Sequence, residues 1–183
     1  NNSAYPYFYS DACQAAGYLD LNVEKTHVDL LSLNGSKIYG PKGTGALFVK
    51  KNVKIEPVLY GGGQEFALRP GTENTAGIFG FAEALKMAEE NRNTLTNQIA
   101  EVRDYFYGRI ADEMKDIILV GEDIKSSNRL PNNLNIIFKD VDAESLILYL
   151  DHYGIICSSG SACATDSDEL SHVLLACGVK NED

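Results

Sequence analysis

The chain has 183 residues, is 44% hydrophobic and carries 16 Lys+Arg against 26 Asp+Glu, for a formal net charge of −10. That length buries a core for one or two small domains, and the acidic balance excludes a nonspecific nucleic-acid binder, which needs a basic face. No apolar run approaches membrane-spanning length, and the first residues lack the basic-then-apolar pattern of a secretory signal, so no membrane partner is expected.

In chain order, Tyr7-Phe8-Tyr9-Ser10-Asp11 reads as a short apolar strand ending in a carboxylate. Ala12 to Gly17 follows as a helical turn closed by glycine. Val28 to Leu33 is a second buried strand, and Gly45 to Lys50 a third, with a turn at Lys51-Asn52. Gly61-Gly62-Gly63 and Arg69-Pro70-Gly71 bracket a long irregular loop of the kind that is functional or disordered in compact domains. Thr72 or Asn74 is placed to cap a helix through Ile78, Phe79, Ala82, Leu85 and Met87. A separate helix is expected from Thr94, with Ile99, Val102, Phe106 and Ile110 on one face. The remainder reads as an α+β unit. It has strands at Ile117–Val120 and Leu134–Phe138 around a polar loop from Gly121 to Pro131. A helix over Ala143–Tyr153 is capped by Asp142 and stopped by Gly154. A short strand at Ile155–Cys157 leads into a Ser/Gly loop, and a last helix over Glu169–Ala176 ends at Gly178. Short apolar strands ending at polar or glycine-rich loops suit an α/β sheet.

The cysteines Cys13, Cys157, Cys163 and Cys177 form no paired C-x-x-C knuckles, and His27, His152 and His172 stand at no metal-ligand spacing, so no metal site is expected. The chain is not cysteine-dense like a secreted disulfide scaffold; free thiols in a reducing compartment, the cytoplasm, are expected. The stretch Lys37 to Gly43 is rich in Gly and Lys but lacks the G-x-x-x-x-G-K-[ST] order of a nucleotide-binding loop.

Two segments carry the candidate chemistry. Lys37 lies between the apolar run Leu31-Ser32-Leu33 and the turn Tyr39-Gly40-Pro41-Lys42-Gly43, where a lysine is placed to form a Schiff base with a carbonyl cofactor, pyridoxal phosphate being the usual one. Cys163 lies in the small-residue loop Ser158-Ser159-Gly160-Ser161-Ala162-Cys163, as a mobile nucleophile requires. Cys157 and Cys177 are poorer candidates, and Cys13 reads as a packed thiol.

The order Asp11-x-x-Gln14, Ser36-Lys37-x-Tyr39-Gly40-Pro41-Lys42-Gly43, Gly61-Gly62-Gly63-Gln64-Glu65, Arg69-x-Gly71-Thr72-x-Asn74 and Ser158 to Cys163 resembles that of the NifS/IscS class of cysteine desulfurases, within the class V aminotransferase-like enzymes. The resemblance implies an α/β fold. The C-terminal part of a fold type I, pyridoxal-phosphate-binding large domain would occupy residues 1–92. A small α+β C-terminal domain carrying the cysteine loop would occupy residues 93–183. It implies that Lys37 holds the cofactor as a buried amine of lowered pKa. Asp11 would partner the pyridinium nitrogen and Gln14 the ring hydroxyl. Asn34 and Ser36 would contact the phosphate, Ser36 standing where the family often has histidine. Thr72 would reach the phosphate of a neighbouring subunit in a homodimer. Cys163 would take sulfur from L-cysteine as a persulfide and pass it to an acceptor or scaffold protein for iron–sulfur cluster and thio-cofactor assembly. Relatives of the class are roughly twice as long, so the chain reads as a piece of the enzyme lacking both ends. Exposed apolar surface is then expected, with weak or absent cofactor binding in this piece. A selenocysteine lyase or cysteine-sulfinate desulfinase, and a catalytically inactive interaction module, stay open as alternatives.

Overall fold

The computed structural model describes residues 6–157 and 171–180. In chain order it contains β1 (Tyr9–Asp11), α1 (Val23–Thr26), β2 (Leu30–Asn34), β3 (Gly45–Val49), α2 (Thr75–Glu113), β4 (Ile117–Leu119), β5 (Ile136–Phe138), α3 (Ala143–His152) and α4 (His172–Ala176). The chain divides into two compact units between Asn97 and Gln98.

In the N-terminal unit the sheet order is β1-β2-β3. Strand β1 pairs parallel to β2 with Asp11 opposite Ser32, and β2 pairs antiparallel to β3 with Asn34 opposite Gly45. Side chains alternate across a strand, so Leu31 and Leu33 take one face of β2 and Ser32 the other. The leucine face supplies the core. Ala12, Val28 and Leu31 are buried with Leu21, Val23 and Phe48 packed around them, and a second cluster joins Ala16, Ile38 and Phe81 to Leu85 and Ala88 of α2.

Asp29 ties the strands together at their far end. Its Oδ2 accepts from the Phe8 N–H at 2.9 Å and its Oδ1 from Lys50 Nζ at 3.2 Å, while its own N–H donates to the Phe8 carbonyl at 2.8 Å. The Phe8 N–H, reinforced by Lys50 and opposed by burial, holds the Asp29 carboxyl below its usual range. A depressed carboxylate pKa stabilises the fold above the unfolded value of about 3.9, and that contribution disappears as pH falls through the folded value. Asp29→Asn is therefore expected to lower the Tm near pH 7, with the gap to the parent chain closing as pH drops below about 4. Thermal melts monitored by circular dichroism at both pH values check this, and a gap independent of pH would refute it.

Helix α2 corrects the expected pair of helices. Thr94 does not begin a new one; Thr75–Glu113 is one helix of 39 residues. The polar run Asn91-Arg92-Asn93-Thr94 contains no glycine or proline to break it. The side chains there stay on the helix, with Asn91 Nδ2 donating to the Met87 carbonyl at 2.8 Å and Arg92 paired with Glu89. A capping residue starts a helix only where the backbone before it leaves the helical region. Asn74 does so for α2, its Oδ1 accepting from the Gly77 N–H at 3.0 Å.

In the C-terminal unit β4 and β5 pair antiparallel, with Ile118 opposite Ile137. The connection between them is organised by two arginines. Arg129, 8% exposed, donates from Nη2 to the carbonyl of Val120 at 2.6 Å, from Nε to that of Glu122 at 2.9 Å and from Nη1 to Asn133 Oδ1 at 2.8 Å. Arg103 donates to the carbonyls of Leu130 and Ile124 at 2.9 and 2.7 Å while paired with Asp104. Asp142 caps α3 through the Ser145 N–H at 2.9 Å. The strand expected at Ile155–Cys157 is absent: those residues are exposed and irregular. The Ile155 N–H is used to close α3, donating to the Leu150 carbonyl at 2.9 Å, and among the described residues β5 pairs only with β4. Ser171 caps α4 through the Val173 N–H, so this helix starts at His172, within the expected span.

Candidate functional site

Strands that run parallel end at the same edge, and residues just past their carboxyl ends converge there, the usual place for a ligand in an α/β sheet. Asp11 ends β1 and Asn34 ends β2, with Ser36 and Lys37 immediately beyond. Gln14 lies exposed in the turn after β1, on the same side of the sheet's end. Sequence reasoning named these residues, and the strand register brings them to one edge.

Asp11 is held closely. Its Oδ1 accepts from the Cys13 N–H at 3.0 Å and from Ser32 Oγ at 3.2 Å. The Ser32 hydroxyl also lies 2.9 Å from the Tyr9 hydroxyl and 3.9 Å from Cys13 Sγ. The Cys13 thiol and N–H, then the Ser32 hydroxyl, lower the Asp11 pKa. Burial first, and then the neighbouring Asp11, raise that of Cys13. At neutral pH the pair is therefore a carboxylate beside a protonated thiol, so Cys13 is a donor here and not a nucleophile.

Lys37 is carried by a 3-10 turn, Gly35–Ile38. Asn34 caps it: Asn34 Oδ1 accepts from the Ser36 N–H at 2.9 Å and the Ser36 hydroxyl at 2.7 Å. With the oxygen engaged twice, Asn34 keeps its amide N–H groups as donors. Ile38, 5% exposed, anchors the turn in the core, and Tyr39 leaves it in the left-handed region at φ 61°. Lys37 itself is exposed in this chain, in place of the buried amine implied by the resemblance. With about three residues per turn, the inward positions are filled by Gly35 and Ile38, and Lys37 faces outward.

Thr72 is exposed between the 3-10 turn Glu65–Ala67 and α2, and among the described residues no hydrogen bond joins it to Asp11, Asn34, Ser36 or Lys37. Glu65, Phe66 and Ala67 all have positive φ, 48°, 57° and 60°, a strained run for residues with side chains. Phe66 and Tyr60 are 94% and 82% exposed. Cys163 lies outside the described residues.

As a donor set the edge fits three kinds of chemistry. An ionised carboxylate suits a cationic ring nitrogen, a primary amine suits an aldehyde, and the Asn34 and Ser36 side chains suit an anion. Those are the demands of pyridoxal phosphate. Sequence reasoning missed Ser32 and Tyr9. The available signal was a serine interrupting the apolar run of β2 at the position of opposite facing.

Comparison with known proteins gives a consistent picture. The aminotransferase class-V family profile matches residues 4–178. The chain is 45% identical over 176 residues to the cysteine desulfurase IscS of Dictyoglomus turgidum, covering 96% of this chain and 44% of that protein. It is 43% identical to the IscS of Methanosarcina thermophila, with 96% and 43% covered. Among solved structures it is similar to a NifS-like protein from Rickettsia africae, with a TM-score of 0.83, 30% identity, and 96% of this chain and 45% of that chain covered. The chain thus spans less than half the length of the curated relatives it matches.

Proposed function

The chain belongs to the aminotransferase class-V family, and from that premise we propose that it is the part of a pyridoxal-phosphate-dependent cysteine desulfurase that carries the anchoring lysine and the ring-binding aspartate. The observation that carries the reading is the meeting of ionised Asp11 and the Lys37 turn at the carboxyl edge of β1 and β2. When bound, the cofactor supplies an electron sink for the carbon–sulfur cleavage. The residues of the chain do the rest. Asp11 would face the ring nitrogen and favour its protonated form, and Gln14 would donate to the ring hydroxyl. Lys37 Nζ would hold the aldehyde carbon and serve as the proton carrier. Asn34 and Ser36 would donate to the phosphate. Cys163 accepts the sulfur of L-cysteine as a persulfide, leaving alanine, and delivers it to an acceptor or scaffold protein for iron–sulfur cluster assembly.

Thr72 would serve the phosphate of the second subunit in a homodimer. The strained, aromatic-bearing segment Tyr60–Ala67 beside it supports that role. A reducing cytoplasm suits a persulfide carrier. The names of the relatives, cysteine desulfurase in both cases, favour this reading over a selenocysteine lyase or desulfinase.

The test is the visible absorbance of the purified chain with added pyridoxal phosphate, beside Lys37→Ala. With the cofactor in large excess, to offset the weak binding expected of this piece, a cofactor-dependent band that disappears in Lys37→Ala is the expected result. Identical spectra would overturn the reading for this chain.

A further inference from the structure

We propose that Ser32 is a positioning residue for Asp11, the middle member of a directed relay that runs from the Tyr9 phenol through the Ser32 hydroxyl to the Asp11 carboxylate. It rests on the cofactor reading above for the reason Asp11 must stay ionised and correctly turned.

The direction follows from proton inventory. A serine hydroxyl has one proton to give. Ser32 Oγ donates to Asp11 Oδ1 at 3.2 Å, and an ionised carboxylate can only accept. The Tyr9 hydroxyl, 2.9 Å from Ser32 Oγ, must then be the donor in that pair. Cys13 adds its N–H to the same Oδ1 at 3.0 Å.

Register explains why these groups meet. Tyr9 and Asp11 are two residues apart on β1 and so share a face, and Ser32 stands opposite Asp11 on the parallel neighbour. The leucines flanking Ser32 pack into the core on the opposite face, so the serine cannot turn away without slipping the strand. A carboxylate with two donors fixed on Oδ1 has its rotamer set.

The experiment reads Asp11 directly, without cofactor. The carboxyl carbon of Asp11 in chain labelled with 13C-aspartate is followed by NMR from neutral pH down past the ordinary carboxylate range, in the parent chain, Ser32→Ala, Ser32→Thr and Tyr9→Phe. Circular dichroism confirms that each retains its fold. Ser32→Ala is expected to move the Asp11 midpoint upward, toward the ordinary carboxylate value. Tyr9→Phe should move it the same way by less, and Ser32→Thr, which keeps the hydroxyl, should restore it. Pyridoxal phosphate affinity is expected to fall roughly tenfold in Ser32→Ala, about the worth of one hydrogen bond to a charged group. An Asp11 midpoint unmoved in Ser32→Ala overturns the relay. Should that variant fail to hold its fold, an unmoved midpoint in Tyr9→Phe does the same. The Lys37→Ala spectrum is read independently, so failure of the cofactor reading and failure of the relay are distinguishable.

Discussion

Replacing Arg129 with alanine is expected to lower the unfolding free energy of the C-terminal unit by about 3 kcal/mol, the largest stability effect of any single substitution considered for this chain. The guanidinium donates to the carbonyls of Val120 and Glu122 and to Asn133 Oδ1 from a nearly buried position. Deletion leaves the carbonyl of buried Val120 without its donor and opens a gap where the side chain lay, while Glu122 and Asn133, both exposed, turn to water. Unsatisfied buried groups cost ~1–3 kcal/mol each, and relaxation of the loop recovers part of that. Arg129→Lys should recover little, because a single ammonium cannot reproduce a planar fork that reaches several separate acceptors. Urea unfolding followed by circular dichroism measures the loss. A change under ~0.5 kcal/mol, the range of an ordinary surface substitution, would show that the loop holds without the guanidinium.

The second large effect falls on the lysine turn. Gly35→Ala is expected to cost ~1–3 kcal/mol of stability by overpacking and to weaken the lysine-dependent cofactor band in parallel. A methyl group at Gly35 meets Thr44 Oγ1, lies 3.1 Å from Phe81 Cδ2 and 3.1 Å from the Pro41 carbonyl oxygen. Thr44 cannot yield freely, since its hydroxyl is spent on the Pro41 carbonyl at 2.6 Å and its branched side chain is stiff. Phe81 cannot yield either, because it is a centre of the core cluster that holds Ile38. The strain therefore reaches the backbone of the turn, two residues before Lys37. Thermal melts and the absorbance titration of Gly35→Ala check both parts. A variant with normal Tm and a normal band would mean that the turn has slack at this point.

The candidate edge was named through the family resemblance, whose motifs hold Asp11 and Gln14 in one turn and Asn34, Ser36 and Lys37 in another. The strands β1, β2 and β3 were legible from short apolar runs ended by polar or glycine residues. What stayed hidden depends on backbone partners distant in sequence. Arg129 looked like one more polar loop residue, since the carbonyls it serves carry no mark in the sequence. Ser32 looked like a break in an apolar strand until the register with β1 set it opposite Asp11. The division of α2 failed for a related reason: Thr94 carries a capping signal, but nothing before it interrupts the helix. The strand at Ile155–Cys157 failed because the Ile155 N–H is spent on the Leu150 carbonyl at the end of α3 instead of on a neighbouring strand.

Among the described residues strand β1 has a partner on one side only. Its other side meets no strand among them and is flanked by Tyr7 and Phe8, which are more than half exposed. The chain thus carries an open template for strand addition, opposed by mutual repulsion between copies that each bear a formal charge of −10. Colloidal behaviour should follow the balance between the two. In dilute buffer, where the screening length is about 30 Å at 0.01 M salt, copies stay apart. Near physiological ionic strength, where it falls to about 8 Å, the edges can meet, and turbidity should rise with added salt.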